Sequence, residues 1–257
     1  AWPVLIGQLA TVGMSVVDVA MTGHLSAEDL AAVAMGASLW VIIMVTVMGI
    51  MIAINAVIAF EVGTADFTNI PHIMRQSMWM AFGVGILACL VLNCSIGLFD
   101  YLEIKPSLQA KAEQFVHVIS FGLPGFAMYR ALYSYTTSLN HTKPVMIIAL
   151  GALAFNIILN WFLIYGHWGM PQLGSTGCAV ATGMSMWLML GAMIWWVWYS
   201  PSYRQTYPFT HFEAPKFPKI FSMLRIGLPI GITYFVEVSA FCLVGLLVAR
   251  FGVVQIA

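Results

Sequence analysis

Two of the chain's few charges lie where charges are costly. Glu237 sits about midway along the apolar run Met223–Phe251, and Asp18 sits in the first apolar run, Trp2–Thr22, about one turn from its end. An ionisable side chain at bilayer depth costs roughly 2.5–3.5 kcal/mol on insertion scales, so a chain keeps one there when it faces an interior cavity and binds or releases an ion. Asp18 has a second option, reaching the nearby outer surface; for Glu237, roughly eight or more residues from either end of its run, that escape is harder. Asn156 and Asn160 are four residues apart and share a helix face. Stacked amides offer carbonyl oxygens and N–H donors to a carboxylate or a small cation. Thr182 adds a hydroxyl, and Asp18 is the acid expected beside them. The competing reading of the amides is interhelical hydrogen bonding with no part in transport. Arg130 is the remaining charge in an apolar stretch; it either pairs with a carboxylate, as an ion pair or gate, or snorkels toward the cytoplasmic side.

A carboxylate in a low-dielectric cavity exchanges its proton near neutral pH. Deprotonated, it holds a sodium ion or a lipophilic cation. Competition of those states for one charge is the minimal chemistry of an antiporter, so the pattern points to a machine that moves something across a membrane.

The elements that must position these groups are membrane helices. Of 257 residues, 61% are hydrophobic and 8% charged, which excludes an ordinary water-soluble globule. Net charge is zero and gives no sign of nucleic acid as a partner. A hydrocarbon core of ~30 Å needs about 20 apolar residues as helix. Seven runs qualify, at about 2–22, 31–60, 76–99, 114–138, 145–166, 177–199 and 222–250. The fold class is therefore all-α: an integral, polytopic helical bundle. The second run is long enough to tilt or bend, near Gly49. The fourth, with His117, Pro124 and Arg130, faces protein or water rather than lipid, and Ile104–Val118 before it is expected to include a short surface helix.

Loop charge assigns sides. Arg75, Lys143, Arg204, Lys216, Lys219 and Arg225 follow even-numbered runs, against Lys105, Lys111 and Arg250 after odd-numbered ones. The excess puts the first set, and with it the N-terminus, in the cytoplasm. The stretch Ser200–Pro218 reads as a cytoplasmic linker. The seventh run resembles the first restarted: with Pro3 set over Pro229, Pro3–Thr22 matches Pro229–Val248 in length, and the turn at Gly23 falls over Ala249–Gly252. Six helices between repeat starts give both halves the same orientation. The expected organisation is a six-helix bundle over 1–199, a linker over 200–221, and over 222–257 the first helix of a second bundle, in a longer protein of twelve helices.

Other features are less specific. Cys89, Cys94, Cys178 and Cys242 form no CxxC pair and read as small packing residues, and the six His show no metal spacing. Pro124 and Pro229, each in Gly-Leu-Pro, mark kinks or helix starts. Trp2, Trp168, Trp195, Trp196 and Trp198 lie near run ends, as an aromatic belt has them. Seventeen Met and a 13% aromatic content either line an adaptable cavity or pack and face lipid.

The fifth and sixth runs read Asn156-Ile-Ile-Leu-Asn160, Tyr165-Gly166, Gly169-Met170-Pro171, Leu173-Gly174, Gly177-Cys178 and Ala181-Thr182. This resembles the signature of the multidrug and toxic compound extrusion (MATE) family, in its NorM-type bacterial branch. Val17-Asp18, Leu30-Ala31-Ala32-Val33, Thr142-Lys143-Pro144 and Gly227-Leu-Pro229 with Glu237 are similar to the family's pattern too. The resemblance covers essentially the whole chain. It implies an antiporter of two six-helix bundles in the bacterial inner membrane, not an enzyme. Such a protein exports organic cations, drugs and dyes, in exchange for Na+ or H+ through a central cavity by alternating access. No cofactor beyond the coupling ion is implied, lipid is the surrounding partner, and the full-length protein is expected to be monomeric. The family's first-bundle acid matches Asp18, its amides Asn156 and Asn160, its hydroxyl Thr182 and its second-bundle acid Glu237; Na+ would sit at Glu237 or Asp18. That bundle's usual second acid would lie beyond Ala257. The chain departs from the family at Leu132-Tyr133, where a basic residue often follows the Leu, and at Gly63-Thr64-Ala65-Asp66, where the loop is usually basic. A flippase for a lipid-linked saccharide is the alternative within the superfamily; it favours several basic cavity residues, and Arg130 is the one on offer.

Overall fold

The computed structural model describes residues 2–101, 105–166, 172–210 and 212–249. Among them are eight α-helices: α1 (Trp2–Leu25), α2 (Ala27–Gly63), α3 (Ile70–Cys94), α4 (Pro106–Ser120), α5 (Gly122–Ser138), α6 (Lys143–Tyr165), α7 (Ser175–Tyr199) and α8 (Phe217–Ala249). Six are long and apolar enough to cross a membrane, and α4 with α5, bent by 40°, pass the same test when taken together. The molecule is a polytopic helical membrane bundle.

The helices outrun their apolar stretches because their first turns are polar. Ser26 caps α2 by accepting a hydrogen bond from the Asp29 N–H at 2.9 Å, which starts the helix before the apolar run does. Pro71 and Pro144 stand in the first turns of α3 and α6, where a missing N–H costs nothing. Pro218 does the same for α8, which starts at Phe217 rather than near 222. α2 is one uninterrupted helix through Gly49. The fourth run is bent: the break at Phe121 separates α4, whose Phe115, Val116 and Ile119 are buried, from α5. Pro124 thus stands in a first turn, while Pro229 lies inside α8.

The core is a single cluster. Met51, Ile54 and Ile58 of α2, Met74 and Leu92 of α3, and Leu123 and Leu132 of α5 are at its fully buried centre. α7 approaches α6 closely at Gly177, where a Cβ would stand 2.6 Å from the Leu163 carbonyl oxygen. α8 lies against α2 through Gly227 and Gly231, whose Cβ atoms would stand 2.5 Å from Ile50 atoms. Small residues at four-residue spacing are how membrane helices approach backbone to backbone. At one end of the bundle, Asp29 of α2 accepts from the Ser175 N–H of α7 at 3.2 Å and pairs with Lys111 of α4 at 3.3 Å. At the other end the linker folds back across α3 and α5. His167, Trp168, Gly169–Pro171, Ile104, His211 and Arg250, with the end of the repeat over 250–257, lie outside the described residues.

Candidate functional site

Asp18, on α1, is 9% exposed, and Asn156 and Asn160 on α6 are wholly buried. The i, i+4 spacing on α6 turns both amides toward α1 and α7. Asn160 Nδ2 donates to Asp18 Oδ1 at 2.6 Å and to Asn156 Oδ1 at 3.1 Å. The Thr182 hydroxyl donates to Asp18 Oδ2 at 2.7 Å and accepts from Asn156 Nδ2 at 3.4 Å. Four side chains from three helices thus close a ring around one carboxylate. Every partner is neutral. One acceptor is left over: Asn160 Oδ1 is buried with no hydrogen-bond partner among the described residues. A buried acceptor left unpaired costs ~1–3 kcal/mol, so this atom is poised to take a cation or a proton donor.

Asp18 also lines a cavity of about 130 Å³ with Gln8 of α1, Trp40 and Met44 of α2, Tyr129 and Arg130 of α5, and Thr182 of α7. It therefore faces the interior and not the outer surface. Arg130 shares that cavity, but among the described residues it makes no ion pair and it does not snorkel. It is 8% exposed, its guanidinium carbon lies 4.2 Å from the centre of the Tyr133 ring, and its Nε has no partner. The ring one helical turn on supplies an electron-rich face in place of a carboxylate. Tyr133, which stands where a basic residue was expected, is that face.

Glu237 is not brought into this ring. It lies on an exposed face of α8, with no hydrogen bond or ion pair among the described residues. The interior cavity expected around it is not formed by these residues.

A second polar centre stands at the linker end. Glu213 pairs with Arg75 Nε at 2.9 Å, Lys216 Nζ at 2.9 Å and His72 Nδ1 at 2.8 Å. Trp79 Nε1 donates to the Glu213 carbonyl oxygen at 2.9 Å, and Gln76 bonds Ala214 and Lys216 backbone atoms. Hydrogen bonds from Lys216, His72 and Arg75 hold the Glu213 carboxyl down at about 2, against an ordinary 4.5.

The sequence reading missed one part of this arrangement. The Glu213 clamp joins residues 138–141 apart in sequence and carries no local signal.

Comparison with known proteins bears on the same residues. The MatE family profile matches residues 3–162. The probable multidrug resistance protein NorM of Acinetobacter baylyi is 41% identical over 93% of this chain and 54% of its own length. The multidrug resistance protein PmpM of Pseudomonas aeruginosa is 38% identical over 96% of this chain and 52% of its own length. The transporter NorM-NG, solved in complex with rhodamine 6G and a monobody, superposes with a TM-score of 0.79 at 31% identity, over 96% of this chain and 54% of that one. The eukaryotic MATE transporter AtDTX14 shares the fold, with a TM-score of 0.84 at 20% identity, over 95% and 53%. The chain spans about half the length of the relatives it matches. With the matched profile covering most of α1 to α6 and the Asp18 ring built from those helices and α7, the chain belongs to the MatE family.

Proposed function

We propose that this chain forms the ion-coupling half of a secondary exporter in which Asp18 binds either the coupling ion or the cationic drug, and never both. The observation that carries the reading is the ring itself: a buried carboxylate whose described partners are all neutral, opening on a cavity. Neutral donors orient the carboxylate and leave its charge uncompensated, so a cation or a proton must supply the compensation. Carboxylate, amide and hydroxyl oxygens are the donors a hard cation takes, and the unpaired Asn160 Oδ1 beside Asp18 suits such a cation. Na+ or H+ is the coupling ion, and small organic cations are the cargo, in line with the rhodamine 6G complex of NorM-NG.

A drug-sized molecule fills ~300–1,000 Å³. The cavity lined by Asp18 is about 130 Å³ and supplies one wall of such a site. The full-length protein supplies the rest, with Glu237 as a second acid. The cytoplasmic side is the end carrying the linker, and the membrane is the bacterial inner membrane. The test is efflux of rhodamine 6G from vesicles holding the full-length protein, under an imposed Na+ or H+ gradient, for wild type and Asp18→Asn. Wild type exports under one gradient, which names the ion, and the variant does not. Undiminished gradient-driven efflux by Asp18→Asn removes the reading.

A further inference from the structure

A pocket of about 720 Å³ opens where the linker crosses the end of α3. Trp79 and Phe82 of α3, Met128 of α5, and Phe209 and Phe212 of the linker wall it, and Arg75 and Glu213 form its polar edge. Phe212 stands edge-on to Trp79, ring centroids 5.9 Å apart, and is 84% exposed. The pocket looks away from α8. That helix meets α3 at Ser77, whose hydroxyl lies 3.4 Å from Met223 Sδ. Trp79 and Phe82 are rotated roughly 140–200° around α3 from that point. Beyond Phe82, Ile86 and Leu90 follow at four-residue spacing, all exposed, so the pocket runs into an apolar stripe on the outer face of a membrane helix.

The polar edge has a sign. Lys216 stands just outside the pocket wall, on the Glu213 carboxylate, so Arg75 and Lys216 together outnumber Glu213, whose carboxylate they share with His72. Lys216 is mostly exposed and spends one of its three N–H donors on Glu213. An apolar slot that runs along a membrane helix and ends at a net cationic edge fits an amphiphile with an anionic head.

We propose that the slot between α3, α5 and the linker binds an anionic phospholipid, with its phosphate on Lys216 and Arg75 and one acyl chain along Phe82, Ile86 and Leu90. The site shares no lining residue with the Asp18 cavity and stands or falls apart from the transport reading. A lipid seated there bridges the linker to α3 and adds to the Glu213 clamp.

The experiment uses the full-length protein in nanodiscs. Phosphatidylglycerol or phosphatidylcholine carrying a photoreactive acyl chain is crosslinked, and the labelled peptides are mapped. Phosphatidylglycerol labels 79–90 and 209–212 in preference to phosphatidylcholine. Lys216→Gln, at an exposed side chain, lowers that preference about fivefold per charge removed. Equal labelling by the two lipids overturns the proposal, as does labelling indifferent to Lys216→Gln. An unlabelled pocket, as when a further protein segment fills it, overturns it too. Loss of the preference on adding millimolar inorganic phosphate assigns the basic edge to free anions and also overturns the lipid site.

Discussion

Asp18 and Glu213 are both carboxylates surrounded by hydrogen-bond partners, and the difference between the two surroundings is charge. Asp18 is held by the Asn160 amide and the Thr182 hydroxyl, with the Asn156 amide linking the two. Glu213 is ringed by Arg75, Lys216 and His72. Cationic partners neutralise a carboxylate where it stands, so the acid becomes a fastener. Neutral partners fix its position and leave its charge to be answered by something that comes and goes. The same functional group is a clamp at one end of the bundle and an exchange site inside it.

The largest expected effect comes from erasing the exchange site's charge. Asp18→Asn in the full-length protein keeps the ring's shape and loses ion-driven efflux by on the order of a hundredfold, the upper range for coupling between sites. Vesicle transport checks it. Next is the ring's hub: Asn160→Leu removes a hydrogen bond to a charged group, worth ~1.5–3 kcal/mol, and weakens binding of the coupling ion by about tenfold or more. Equilibrium ion binding reads that change. If Asn160→Leu leaves ion affinity intact, the ring only packs helices, and the contrast with Glu213 disappears.

The clamp responds differently. Glu213→Gln leaves the ion dependence of efflux unchanged, lowers the melting temperature by about 2–4 °C, and speeds amide exchange in the linker. Its pH dependence has a sign. The Glu213 carboxyl sits at about 2 when folded and near 4.5 otherwise, so its contribution is fully present above 4.5 and is lost as pH falls from there toward 2. The linker's protection factor, taken against the intrinsic exchange rate at each pH, is therefore level down to about 5 and falls below it.

What the sequence disclosed follows from the range of the interactions. Membrane spans are local, so apolar runs of the right length located the six single spanning helices, with starts up to six residues late because Ser26, Pro71 and Pro218 allow polar first turns, and covered the bent α4–α5 pair from residue 114 on. Asn156 and Asn160 were legible as a pair because a helix turns i and i+4 to one side. Their meeting with Asp18 was legible because a lone acid in an apolar run must find polar company. The contact of Arg130 with the Tyr133 ring was not legible, because a Tyr one turn away carries no charge to announce it. The Glu213 clamp was invisible: its members come from α3 and a proline-rich linker and meet only when the chain folds back. Glu237 drew attention by its depth in an apolar run, yet it stays outside the ring, since depth in a run says nothing about which way a side chain faces.

The central claim is that the Asp18 charge is shared in turn by ion and drug. The most direct measurement is ion release on drug binding. Rhodamine 6G is titrated into the purified full-length protein while released protons and displaced Na+ are counted. The account predicts that wild type releases one kind of ion as the dye binds, and that Asp18→Asn releases measurably less. Equal release from wild type and Asp18→Asn would contradict it and move the exchange site elsewhere, with Glu237 the next acid to test.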